Sequence, residues 1–348
     1  MSARDETIAQ RLLPWYDSHA RVLPWRSLPG HGLPDPYAVW LSEVMLQQTT
    51  VAAVKPYFSR FIERWPSVDA LAAAPDAEVM AAWAGLGYYS RARNLLKAAR
   101  EVVRLGRFPD SEAELRKLPG LGTYTAAAVA AIAFGQRAVV VDANVERVLA
   151  RFHAIADPLP GARKAIRCAA DRATPDERAG DFAQAMMDLG ATICTPRAPR
   201  CMLCPLSESC AGRASGAPEA FPAKASRRAV PERRGKAYWI ERGGCVWLVR
   251  RPASAMLGGM RGLPDDGWSA QADGSYAPPL SGSWTLLGEV RHVFTHARLV
   301  LEVLAWTGNA EPPDAGEWWP IGRLDEAGLP TLFAKAARLA VAEQVTAR

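Results

Sequence analysis

Four cysteines, Cys194, Cys201, Cys204 and Cys210, fall within seventeen residues, separated by six, two and five positions. Four thiolates on one compact loop can converge on an iron–sulfur cubane. Structural zinc sites mostly use two short Cys/His pairs. Here there is one CxxC and no neighbouring histidine, so the spacing favours iron–sulfur over zinc, with disulfides third. Two carboxylates form a second candidate site. Glu43 projects on the flank of an apolar helical stripe beside Gln47, and Asp142 stands where an N-cap would open the helix ANVERVLARF. Two carboxylates in unlike surroundings can protonate a leaving group and stabilise an oxocarbenium-like sugar. Taken singly, Glu43 also reads as a surface acid and Asp142 as a plain cap. The third candidate is Leu118-Pro-Gly120-Leu-Gly122, which ends one helix and opens another. Its glycines permit a tight turn, and the following N–H groups offer an anion site suited to a phosphate.

The elements that must position these groups are legible in part. Tyr37, Trp40, Leu41, Val44 and Met45 repeat at helical spacing after Pro36. Ser111 and Glu114 form a capping box for a short helix that Pro119-Gly120 terminates. The run Thr123 to Phe134 is small and apolar nearly all round, so its helix is expected to be buried. Between Ala211 and Ala237 lie three prolines and seven basic residues against two acidic ones. That composition reads as a linker, either a solvated tether or a strand along a phosphate backbone. Beyond it the period becomes two. Tyr238-Trp239-Ile240 and Val246-Trp247-Leu248-Val249 flank Gly243-Gly244, a hairpin signal, and Leu332 to Val345 reads as a terminal helix.

A chain of 348 residues suits two domains, and 49% hydrophobic with 22% charged residues excludes wholesale disorder. The net charge of +6 tilts toward a polyanionic partner without requiring one. The excess of arginine over lysine reads first as the mark of a GC-rich genome, though it also fits phosphate recognition. No stretch approaches the ~20 apolar residues that span a bilayer. The acidic start MSARDETIAQ has no signal-peptide core. A cytoplasmic monomer is expected, at the nucleoid in a bacterial cell.

The motifs together resemble the adenine DNA glycosylase (MutY) family of the helix-hairpin-helix glycosylase superfamily. The resemblance runs through Leu23-Pro-Trp-Arg26, Asp35 to Thr49, Gly85-Leu-Gly-Tyr-Tyr to Asn94, Leu118 to Tyr124, Val141-Asp142-Ala-Asn144 and the cysteine loop. It implies that Glu43 protonates adenine, that Asp142 stabilises or traps the sugar cation, and that Tyr124 and Asn144 support it. Trp25, Arg26, Leu46, Val51 and Asp188 would form the adenine pocket. Gln48, Thr49, Leu86 and Tyr88 would enter the duplex around the opposite base, and Gly120 and Gly122 would hold a phosphate. The four cysteines would carry a [4Fe–4S] cluster that braces a DNA-binding loop. Endonuclease III-like relatives place a Schiff-base lysine where this chain has Tyr124, which implies a monofunctional glycosylase. Thymine-mismatch glycosylases can also carry tyrosine there.

Residues 238–345 resemble the MutT-like (Nudix-like) domain with which this family reads 8-oxoguanine. Leu257 to Pro264 and His292-Val-Phe294-Thr295-His296 carry the match, and Phe294, Thr295 and His296 would contact the oxidised base. Thr295 replaces the usual serine, keeping the hydroxyl and adding a methyl. No REx2-EE pyrophosphatase helix follows Gly262. Ala143 and Ala183 stand where glycine and asparagine are common, and neither change removes a titratable group. The expected architecture is multidomain. An all-α helix-hairpin-helix region spans 1–212 with its iron–sulfur loop at 194–210, a linker covers 213–236, and an α+β Nudix-like domain covers 237–348. The implied substrate is double-stranded DNA with adenine opposite 8-oxoguanine or guanine. The alternatives are a thymine-mismatch or endonuclease III-like enzyme, or a catalytically silent iron–sulfur DNA-binding protein.

Overall fold

The computed structural model describes residues 3–223, 230–252, 256–294, 297–312 and 315–346. Its helices are α1 (Ala3–His19), α2 (Pro36–Leu46), α3 (Val51–Arg64), α4 (Val68–Ala73), α5 (Asp76–Trp83), α6 (Ser90–Leu105), α7 (Glu112–Leu115), α8 (Thr123–Phe134), α9 (Ala143–Phe152), α10 (Arg163–Ala173), α11 (Ala179–Thr192), α12 (Ala211–Ala214) and α13 (Thr331–Thr346). Its strands are β1 (Glu232–Trp239), β2 (Glu241–Arg242), β3 (Cys245–Arg250), β4 (Arg261–Gly262), β5 (Ser283–Val293), β6 (Arg298–Thr307) and β7 (Gly316–Pro320). None of the helices is long and apolar enough to cross a membrane among the described residues.

Contacts divide the chain into two units, one of Met1–Ala73 with Asn94–Arg227, the other of Ala74–Arg93 with Arg228–Arg348. In the first, α8 is the central post. Every residue from Thr125 to Ala133 is buried, as its uniformly apolar composition requires. The small side chains let α2, α7 and α11 pack against it. Asp35 caps α2 by accepting from the Tyr37 N–H at 3.0 Å, with Pro36 in the first turn where its missing N–H costs nothing.

The second unit carries two sheets. β1 runs parallel to β6, and β5 pairs antiparallel on the other side of β6 with a bulge between Leu286 and Gly288. β3 is flanked by β2, β4 and β7, all antiparallel. α13 covers the first sheet, and Trp239, Trp268, Leu301 and Phe333 lie in the shared core. The α+β expectation holds. Gly243 and Gly244, with φ of 56° and 74°, join β2 to β3, the left-handed pair that a two-residue hairpin demands.

Two local expectations change. Residues 232–236, read as linker, are the first half of β1, in which Arg234 pairs with Val300. Arg234 and Lys236 are exposed, Arg233 donates to the Ala270 carbonyl, and the backbone pairs with β6, so composition hid a strand. Tyr238-Trp239 accordingly belongs to β1 rather than to the hairpin, whose arms are β2 and β3. Residues 74–93, expected within a continuous helical domain, group with the second unit. Which remote surface a short helix joins depends on three-dimensional packing that its own periodicity does not encode.

Candidate active site

The cap of α9 fixes the first carboxylate. Asp142 Oδ1 accepts the Val145 N–H at 2.7 Å, as an N-cap should, and Oδ2 accepts from Asn144 Nδ2 at 2.7 Å. The plain-cap reading is therefore true and incomplete, because one oxygen binds the backbone and the other is aligned by a side chain. Asp142 lines a cleft of about 950 Å³. Glu43, on α2, lines the same cleft although only 6% of its surface is exposed. The surface-acid reading of Glu43 does not hold. Burial pushes its carboxyl up to about 7; the Tyr124 hydroxyl, hydrogen-bonded to it, pulls the other way, nearby Asp142 adds to the rise, and Arg26 offsets part of it. Its Oε2 has no hydrogen-bond partner among the described residues. A buried acid with an uncommitted oxygen, beside a second carboxylate, is arranged to hold a proton near neutrality.

Tyr124, in the first turn of α8, lines the cleft half-buried, and desolvation together with the two carboxylates raises its phenol well above the ordinary range. It stays neutral and can donate. Trp25, Arg26, Leu46 and Val51 complete the apolar and cationic wall, with Trp25 set edge-on to Phe58 at 5.2 Å. Asp188 does not line the cleft. It is wholly buried on α11 and accepts from Arg26 Nη1 at 2.8 Å, Arg21 Nε at 2.6 Å and the Arg21 N–H at 3.0 Å. Three donors engage both oxygens of this carboxylate, so it aims the cleft's arginine from behind. Its place in the wall was expected from family resemblance, and only packing shows it one layer deeper.

Gln48 and Thr49 follow α2 at the cleft rim, with Gln48 in the left-handed region at φ 57°. In the second unit, Tyr88 is also left-handed, at φ 48°, and 45% exposed, whereas Leu86 is 7% exposed. Leu86 is packed away, contrary to the projection that its assigned role needs. Trp83 Nε1 and Arg91 Nη2 both donate to the Gly87 carbonyl, at 3.1 and 3.2 Å, and brace this turn. The α7–α8 hairpin forms as its motif predicts. Gly120 takes φ +82° and lies so close to Asn94 that a Cβ would stand 2.7 Å from its Cβ, while Gly122 serves as N-cap of α8 with open space around it. Phe294 stacks on Trp268 at 5.8 Å and tilts against His292 at 4.5 Å. Thr295 and His296 lie outside the described residues.

Residues that motif reading missed tie the cleft to the cysteine loop. Arg147 Nη2 donates to Asn144 Oδ1 at 2.9 Å and to the Gly190 carbonyl at 2.6 Å, and its Nε donates to the Cys194 carbonyl at 2.8 Å. Arg151, one turn on, donates to the carbonyls of Thr195 at 2.7 Å and Pro196 at 3.0 Å. Gly190 permits this approach, since a Cβ there would lie 2.6 Å from that of Asn144. The available signal was the i, i+4 spacing of the two arginines on a helix whose opposite face is apolar.

Among the described residues, no three His, Cys, Asp or Glu side chains lie close enough to share one metal ion. The four thiols are nonetheless near neighbours. Burial pushes Cys204 up to about 12; a backbone hydrogen bond opposes the rise, and Cys194, Cys210 and Cys201 each add to it. Four thiols on one loop, three of them acting electrostatically on Cys204, suit a cluster that takes one thiolate per iron.

Residues 41–168 match the family model of the HhH-GPD superfamily base excision DNA repair proteins, and 236–339 match that of the NUDIX domain. The human adenine DNA glycosylase is 36% identical over 403 residues, covering 96% of this chain and 74% of that one. The enzyme of the same name from Mycolicibacterium smegmatis is 44% identical over 222 residues, covering 62% and 73%. A thermostable thymine-DNA glycosylase superposes with a TM-score of 0.55 at 31% identity, covering 61% of this chain and 97% of its own. An endonuclease III in a non-covalent DNA complex gives 0.51 at 26%, with the same coverage. With relatives matched across both units and two carboxylates facing one cleft, the chain is a base excision repair glycosylase and belongs to the adenine DNA glycosylase family.

Proposed function

We propose that this protein binds double-stranded DNA as a monomer and removes adenine paired with 8-oxoguanine or guanine, leaving an abasic site. The observation that carries this reading is Glu43, a buried acid with a raised pKa and an unshared oxygen, lining one cleft with Asp142. Extruding the adenine costs a few kcal/mol of unstacking, offset by contacts in the pocket. Glu43 donates its proton to a ring nitrogen, the glycosidic C–N bond breaks, and its electron pair leaves with the base. The positive charge left on the sugar is met by Asp142, held by Asn144 and the α9 backbone. Water then adds to the sugar carbon, and its surplus proton restores Glu43. Tyr124 has no amine for a Schiff base, so strand cleavage is not part of the reaction.

Cys194, Cys201, Cys204 and Cys210 would hold a [4Fe–4S] cluster. When bound, it would supply rigidity to the loop, not electrons for the reaction. Phe294, Thr295 and His296 would read the oxidised base opposite adenine, and Gln48, Thr49 and Tyr88 would probe the duplex around it. Gly120 and Gly122 would seat a backbone phosphate. The likeness to a thymine-DNA glycosylase and the presence of Tyr124 favour thymine release as the second reading. Single-turnover assays on duplexes with adenine opposite 8-oxoguanine, adenine opposite guanine, and thymine opposite guanine separate the two. Release of adenine alone is expected, with Thr295→Ala narrowing the difference between the two adenine substrates; release of thymine alone overturns the proposal.

A further inference from the structure

Two arginines in the same cleft have no role in the chemistry just described. Arg163 and Arg167 sit four residues apart on α10, hence on one helix face, and both line the cleft with Asp142 and Asn144. The other cations of its lining, Arg21 and Arg26, are already bound to Asp188. Arg163 pairs through Nε with Glu146 Oε1 at 3.0 Å, in side chains 65% and 17% exposed. Arg167 is exposed and has no ion pair or side-chain hydrogen bond among the described residues.

An extruded nucleotide brings its two flanking phosphates wherever its sugar goes. If the sugar stands at Asp142, those phosphates enter a cleft that already holds the Asp142 and Glu146 carboxylates. Like charges that close must be offset by cations not committed elsewhere. We propose that Arg163 and Arg167 grip the phosphodiesters flanking the extruded nucleotide, a subsite distinct from the α7–α8 hairpin. The assignment rests on the base-release reading above. Glu146 holds Arg163 over the cleft in the free protein. An exposed pair of this kind is weak, so a phosphate takes over the guanidinium at little cost.

The test is equilibrium binding across a salt series, with two probe duplexes. One carries 2′-fluoro-2′-deoxyadenosine, which resists hydrolysis, opposite 8-oxoguanine; the other is fully paired adenine–thymine DNA. Arg163→Ala and Arg167→Ala are each expected to lower the slope of log affinity against log salt by about 0.9 on the first duplex. Affinity should fall about threefold to tenfold, the adenine–thymine duplex should be unaffected, and Arg167→Lys should keep the wild-type slope. Wild-type slopes in both alanine variants overturn the proposal, and so does equal loss on both duplexes. Adenine release by the wild-type protein on an ordinary substrate is measured alongside. Its absence would count against the base-release reading, whereas normal release with unchanged slopes counts against this subsite alone.

Discussion

Arg147 joins Asn144 to the cysteine loop, donating to Asn144 Oδ1 at 2.9 Å and to the Cys194 carbonyl at 2.8 Å. Asn144 in turn holds Asp142 at 2.7 Å. Asp142 is thus positioned through the segment that begins the four-cysteine loop.

Arg147→Ala removes the donor to both partners and leaves the Gly190 and Cys194 carbonyls without it. Small misplacements of a reacting group are costly, so single-turnover base release should fall about tenfold to a hundredfold. The variant should also lose iron, read as visible absorbance per protein. Full iron content together with wild-type turnover would refute the linkage.

Glu43 yields a pH prediction with two readouts. As a general acid it must be protonated, so kcat/KM should fall as pH rises through about 7. Stability behaves similarly. The folded pKa lies above the unfolded one, so the folded state is disfavoured as pH rises from 4.5 to about 7, and the loss then levels off. The penalty is on the order of 3 kcal/mol. Glu43→Gln should therefore be inactive yet more stable than the wild type at pH 8. Urea titrations at pH 8 and pH 4 should show that advantage shrinking in acid.

The two hairpin glycines should behave differently. Gly120→Ala forces a left-handed residue and a Cβ 2.7 Å from that of Asn94, which should cost roughly 1–3 kcal/mol. Gly122→Ala meets open space at an ordinary φ of −79° and should leave stability nearly unchanged. Thermal melts would separate them.

Asp188→Ala should destabilise by about 3–5 kcal/mol, because it leaves the Arg26 and Arg21 guanidinium groups without their carboxylate in a buried setting. Arg21→Ala, at the more exposed end, should cost less. Denaturant unfolding of both variants and of the double substitution would measure the coupling. Additive effects would mean that Asp188 does not act through Arg21.

Much of this was legible before any coordinates. The N-cap at Asp142, the buried apolar helix from Thr123 and the glycine turn at 243–244 are set by local rules of capping, periodicity and left-handed φ, and all three appear as read. The residue types nominated Glu43 and Asp142, the family resemblance added Tyr124 and Asn144, and all four line one cleft. The failures are non-local. Asp188 moved behind the wall, Leu86 turned inward, and 232–236 became strand. For Asp188 and for the strand, the partners, Arg21 and Arg298 to Glu302, lie far away in the chain.

The sequence by itself determined which residue types can act, because capping boxes, glycine turns and cysteine spacings are short-range and carry their own physical constraints. Only the tertiary structure decided how those residues behave. A carboxylate's pKa depends on how much water its neighbours exclude, so Glu43 becomes an acid poised near neutrality only when α2 packs on α8. Arg147 acquires its bridging place only when α9 meets α11 across Gly190. Local rules supply the groups, and long-range packing sets the dielectric and the distances through which they act.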